Sequence, residues 1–168
     1  FYRRTDEERD AYLTRVRRNA LAQKVGDVDA ALTIPGNKVL FNMLFGEFLR
    51  RKWINPTAAS PEAFVDFVRQ QGEVLVKASI FCSGQGIYKY RYTDEASARA
   101  LYKDLYGGGY VVEEVLRQHP EMDRINPHVI NTVRVATYTD ADDVHILAAA
   151  IRPSNHADGC IDSLHAGG

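Results

Sequence analysis

The spacing of apolar residues changes along the chain. In "DEERDAYLTRVRRNALAQKV", Tyr12, Leu13, Val16, Ala20 and Leu21 recur at helical intervals. Acidic residues lead this stretch and basic residues trail it, which suits a helix dipole. Pro35-Gly36 then breaks the pattern. Asn37 is placed to cap a helix over about Lys38 to Arg51. Its expected inward stripe is Val39, Leu40, Met43, Leu44 and Leu49, widened by Phe41, Phe45 and Phe48. "NPTAAS" reads as a loop. Ser60-Pro61-Glu62 opens a third helix with proline at its first position and Phe64, Val65 and Val68 inside.

From residue 74 the texture becomes strand-like. Val74 to Val76 predicts a buried strand, and Ile87 to Tyr92 a second one, joined by the turn "SGQG". Thr93 or Asp94 caps a helix to about Leu105, which "YGGG" ends. "YVVEEVL" predicts a short strand. Two longer strands, Val129 to Tyr138 and Val144 to Ile151, flank the polar turn "TDADD" and predict an antiparallel hairpin. Helices first, then hairpin, helix, strand and a longer hairpin: the order predicts an α+β fold with antiparallel rather than doubly wound sheets.

Composition narrows the function classes. The chain has 168 residues, 45% of them hydrophobic, enough to build a core. A formal net charge of -1 excludes a general basic surface for nucleic acid. No apolar run approaches the roughly 20 residues of a membrane span. The opening "FYRRTDEERD" has no signal-peptide pattern. Cys82 and Cys160 lie far apart without metal-ligand spacing, which favours reduced thiols and a cytoplasmic setting. The chain lacks an initial methionine and stops at Gly168, so a piece of a longer protein is expected.

One short stretch raises a chemical question. In "VLVKASIFCSGQGIYKYRY" an apolar strand ends on Lys77 and runs into a loop carrying Ser83, Gly84 and Gly86. A lysine at a strand end is most simply an edge charge reaching water. Followed by a glycine loop whose amides can turn to an anion, it also suits a polyphosphate. It is neither a Walker loop, since GxxxxGK[ST] is absent, nor a dinucleotide fingerprint, since no GxGxxG opens a helix. "VVEEVLRQHPEM" could offer backbone groups to a base and a carboxylate to ribose; equally, Glu113 and Glu114 could be solvated charges at a strand end. In "INPHVINTVRVATYT", Arg134 alternates with Val133 and Val135, whose burial would fix the register. It suits either a phosphate or a cross-strand salt bridge. His156, Asp158, Asp162 and His165 crowd the end of the chain without a standard metal spacing and favour a polar loop. His128 favours a local hydrogen bond, and both cysteines favour buried apolar roles.

Taken in order, "NKVLFNMLF", "VLVKAS" with "SGQG", "VVEEVLRQHPEM", "INPHVINTVRVAT", "AAAIRPS" and "CIDSLHAGG" resemble the ATP-grasp superfamily. They are most similar to its sugar-transfer-associated group, related to α-L-glutamate ligases. The resemblance covers about Asn37 to the end; "NTVR" and the final D-x-x-x-A-G-G are its most specific parts. It implies two α+β lobes with antiparallel sheets that close on ATP: a mainly helical segment over 1–71, a first lobe over 72–116, and the start of a second over 117–168.

The same resemblance implies the site. Lys77 and Lys38 would reach phosphates, and Ser83, Gly84 and Gly86 would form the lid. Glu113, Glu114 and Leu116 would belong to the adenine hinge, recognising the base through backbone atoms. Glu121 or Glu114 would take the ribose. Arg134 would face the phosphate or acyl-phosphate, with Asn131 and Thr132 shaping that face. Lys77 and Arg134 are the implied catalytic pair. The implied reaction is carboxylate attack on the γ-phosphate of ATP, giving an acyl-phosphate and ADP, then displacement of phosphate by an amine, with Mg²⁺ and the cations neutralising charge. The acceptor would be a small molecule or sugar-linked compound, in cell-surface polysaccharide or peptide-like product synthesis. A kinase acting on a hydroxyl and a non-catalytic interaction module are the alternatives. One departure stands out: Ser163 follows Asp162 where the family often has Asp-Asn, and its acidic E-x-N metal segment is expected beyond Gly168.

Overall fold

The computed structural model describes residues 5–7, 14–25, 33–80 and 86–153. Ser83, Gly84, Cys82 and the whole of "HADGCIDSLHAGG" lie outside the described residues. Helix α1 spans Arg15–Val25. Asn37 caps α2 (Lys38–Leu44), its side chain accepting from the amides of Val39 and Leu40. The helix predicted to reach Arg51 breaks at Phe45, whose φ of -113° and ψ of 22° leave the helical region. Gly46–Leu49 forms a separate turn, α3. β1 (Trp53–Ile54), for which the sequence reading made no assignment, follows just before the "NPTAAS" loop.

Helix α4 (Pro61–Gln71) starts as its sequence dictates, with the Ser60 hydroxyl accepting from the amide of Ala63. Gly72 ends it at a φ of 70°, a conformation that favours glycine. β2 (Glu73–Ala78) and β3 (Ile87–Arg91) form the expected hairpin. Asp94 caps α5 (Glu95–Leu105), and β4 (Tyr110–Glu114) follows. A short α6 (Pro120–Asp123) leads to β5 (Thr132–Thr139) and β6 (Val144–Arg152).

Strands β1 to β4 make one antiparallel sheet in the order β1-β4-β2-β3. The fold is α+β with antiparallel sheets. Strand alternation splits its side chains between two faces. Val74, Val76 and Val112 face α4 and α5 and join Phe64, Val68, Leu101 and Leu105 in a buried core. Those strand residues are 0% exposed. β1 and α4 therefore share one core with β2–β4. The opposite face carries Leu75 and Lys77 from β2, Lys89 from β3 and Glu113 from β4, set side by side by the register. Helix α2 lies on that second face.

Two sequence expectations about burial are corrected. In α2 and α3, Leu40, Met43, Leu44 and Phe48 are exposed, and Asn42 is the buried residue. A carboxylate sits where α2 meets the sheet, so the helix turns its amide inward. In the β5–β6 hairpin, Val133 and Val135 are 57% and 49% exposed, so burial does not fix this register. The hairpin is a separate two-stranded sheet, and its register is held by backbone pairing, with a shift between Ala136 and Thr137. β5 starts at Thr132 rather than Val129. Residues 129–131 instead end a loop knotted by Gln118, whose amide donates to the carbonyls of Asn126 and Val129.

Candidate functional site

Glu113 is the centre of the second sheet face. It is 1% exposed, although alternation along β4 directs it away from the apolar core. A buried lone carboxylate would be strongly destabilising. Here it is surrounded by partners. Lys77 Nζ lies 2.6 Å from Oε2, Asn42 Nδ2 donates to Oε1 at 3.0 Å, and Arg51 donates to the same oxygen at 3.1 Å. Burial pushes the carboxyl upward, but Lys77, Asn42 and Arg51 together outweigh it and hold Glu113 below its ordinary range. Four segments meet at this group: β4, β2, α2 and the loop before β1.

Beside the cluster opens a cavity of about 530 Å³, within the size range of small-molecule sites. Lys77, Lys89 and Glu113 line its sheet side. The segment leaving β4, residues 114–118, lines another side, and Asp123, His128, Val129, Ile130 and Thr132 close it. Leu75, Val115, Leu116, Val129 and Ile130 give it apolar wall, so one compartment holds two lysines, apolar surface and an irregular backbone segment. A second cavity of about 520 Å³ lies against the same strap, sharing Glu114, Val115, Leu116 and Arg117.

The residues singled out in the sequence are distributed unevenly around this space. Lys77, Glu113, Glu114 and Leu116 line the cavity. Lys38 stands at the end of β2, donating from Nζ to the carbonyl of Ala78 at 2.9 Å. Gly86 accepts from the Ala78 amide and has a φ of 66°; a Cβ there would approach Ala78 Cβ to 3.2 Å, so this turn favours glycine. Asn131 is buried, and its Nδ2 donates to Gln118 Oε1 and to the carbonyls of Met122 and Asn126. Its amide is thus engaged by the loop. Glu121 is exposed on α6 and Arg134 on β5, and neither is among the residues lining the cavity.

Asn42, Arg51, Lys89 and Gln118 escaped the sequence reading. Asn42 carried a signal, a polar residue inside an otherwise apolar helical run. Lys89 carried another: it lies on the second hairpin strand, and hairpin register would have set it near Lys77. Arg51 and Gln118 carried none, because their partners are distant or irregular in sequence. Among the described residues no group of three or more His, Cys, Asp or Glu could hold a metal ion. Among them, no helix is long and apolar enough to cross a membrane.

No protein-family model matches the chain, and no curated protein sequence matches it. Among solved structures, D-alanyl-alanine synthetase A from Vibrio cholerae O1 biovar eltor str. N16961 is similar with a TM-score of 0.46 and 16% identity. The likeness covers 72% of this chain and 34% of that one, so the chain spans about a third of that protein's length. It is too low to carry an activity across.

Proposed function

We propose that the cavity beside Glu113 binds ATP, and that the chain is part of an ATP-grasp ligase joining a carboxylate to an amine through an acyl-phosphate. The observation that carries this reading is the coincidence of Lys77, Lys89, apolar wall and the segment after β4 in one cavity. The sequence resemblance assigns Lys77 to phosphate and the segment from Glu113 to Leu116 to adenine, and these residues line that same space. Leu75, Leu116 and Val129 offer apolar surface suited to a base, while the backbone of 114–116 carries the donors and acceptors a purine edge needs. The lysines suit the phosphates.

In the same reading, Lys38 and Gly86 belong to the phosphate end, with Ser83 and Gly84 in the lid. Glu114 or Glu121 accepts from ribose, and Asn131 and Arg134 serve the second lobe over 117–168. Lys77 holds charge at the transferring group because Glu113 fixes its Nζ. A sugar-linked acceptor and a role in polysaccharide synthesis rest on the resemblance alone. Mg²⁺ also rests on the resemblance alone: among the described residues no group of three or more His, Cys, Asp or Glu could hold a metal ion.

Calorimetric titration tests the binding half of the proposal. ATP should bind to the folded chain and GTP more weakly, since backbone recognition of an adenine edge discriminates against guanine. A folded protein that takes up neither nucleotide would sink the reading.

A further inference from the structure

The two lysines of the cavity are not electrostatically equivalent. Lys77 and Lys89 lie on the same sheet face, because Lys89 pairs with Leu75 and Leu75 shares a face with Lys77. Lys77 is half-buried and held 2.6 Å from the Glu113 carboxylate. An anion approaching Lys77 also approaches Glu113, so repulsion cancels part of the attraction. Arg51 adds positive charge to the cluster, but it does not line the cavity. Lys89 is exposed, lines the cavity, and has no ion pair or side-chain hydrogen bond among the described residues. The other charged groups on the cavity wall are Glu114, Arg117 and Asp123.

We propose that Lys89 is the specificity-determining cation of this cavity, selecting a polyanionic ligand over a neutral one, while Lys77 and Glu113 form a fixed positioning pair. The inference deepens the nucleotide reading and rests on it for the ligand class. Lys89 gives its full charge to the ligand because among the described residues no carboxylate takes it first. Lys77 gives a steady position and a smaller share of the field.

The test is titration of wild type, Lys89→Gln and Lys89→Arg with ATP, adenosine and inorganic tripolyphosphate, with circular dichroism as a check of folding. Lys89 is exposed, so both variants should fold. ATP and tripolyphosphate should bind Lys89→Gln at least about 10-fold more weakly, the scale of a lost charge-assisted contact. Adenosine should bind it as it binds wild type, and Lys89→Arg should stay within a few-fold of wild type for all three. Unchanged ATP affinity in Lys89→Gln overturns the inference and leaves the nucleotide reading standing. Tripolyphosphate binding that depends on Lys89, with no binding of ATP or adenosine to wild type, overturns the nucleotide reading and keeps the inference. A folded wild type that binds none of the three overturns both.

Discussion

Glu113 concentrates the energetics of the second sheet face in one side chain. Removing a partner from a buried ion pair typically costs 3–5 kcal/mol, because the remaining charge is left uncompensated. Lys77 and Arg51 keep some contact with water, 17% and 21% of their side-chain surface. Glu113→Ala should therefore destabilise by about 3 kcal/mol, the lower end of that range. The pH dependence has a definite sign. The folded carboxyl titrates below its ordinary value of 4.5, so its contribution is complete above that value and is lost as pH falls through the depressed one. Chemical denaturation of wild type and Glu113→Gln should show a full stability gap at pH 7 that closes in acid below about 4. A gap that stays constant down to pH 3 would mean that the carboxylate charge does not stabilise the fold.

The same cluster changes how a Lys77 variant must be interpreted. Lys77→Ala removes a candidate phosphate contact and also strips a buried carboxylate of its nearest cation. Weaker ligand binding by that variant mixes the two effects, whereas Lys89 can be altered without touching Glu113. Sequence could place Lys77 at the end of a strand and Glu113 in another. That they meet at 2.6 Å depends on β2 and β4 being neighbours, which no local pattern reports.

Among the elements, α2 connects a cap to the site. Asn37 accepts from two amides at its start, and one turn later Asn42 reaches Glu113. The cap was legible because asparagine before an apolar-periodic run has a local cause. The buried face was not, since Leu40, Met43 and Leu44 satisfy the helical stripe and yet face outward. Hydrophobic periodicity reports that a helix forms, but the neighbour decides which side is covered. Asn37→Ala should cost about 1 kcal/mol by the loss of its cap. Because that cap anchors the helix supplying Asn42, the combined loss of Asn37→Ala and Asn42→Ala should differ from the sum of the single losses. Denaturant titration of the two single variants and the double variant measures the difference. Strict additivity would disconnect the cap from the cluster.

At the scale of the whole molecule, the two sheets differ in what supports them. β2 and β4 are central strands of four, packed on Phe64, Val68, Leu101 and Leu105. β5 and β6 form a two-stranded sheet whose apolar residues are open, with Ile146 71% and Ile151 53% exposed. A two-stranded hairpin has little stability of its own. Native-state hydrogen exchange should therefore protect amides of β2 and β4 most strongly and those of β5 and β6 much less. Equal protection of both sheets would show that the hairpin is supported as firmly as the core. Exposure also bears on Arg134: alternation gives it a side of β5, but among the described residues it does not reach the cavity.

The sequence by itself determined the α+β class, the capped starts of α2, α4 and α5, the β2–β3 and β5–β6 hairpins, and the glycine turn that Gly86 closes. Each has a cause within a few residues: a side chain bonding a nearby amide, an alternation of period two, or a φ that favours glycine. It also marked Lys77 and the segment after β4 as chemically interesting. Only the tertiary structure decided that Glu113 is a buried anchor for Lys77, Arg51 and Asn42, that α2 turns an amide inward, and that Lys89 shares the cavity. Those facts depend on which strands are neighbours and which helix covers which face. Such contacts join residues 36 to 71 positions apart, beyond the reach of any local preference. A buried charge is tolerated only where distant segments converge to compensate it, so its place is a property of the whole fold.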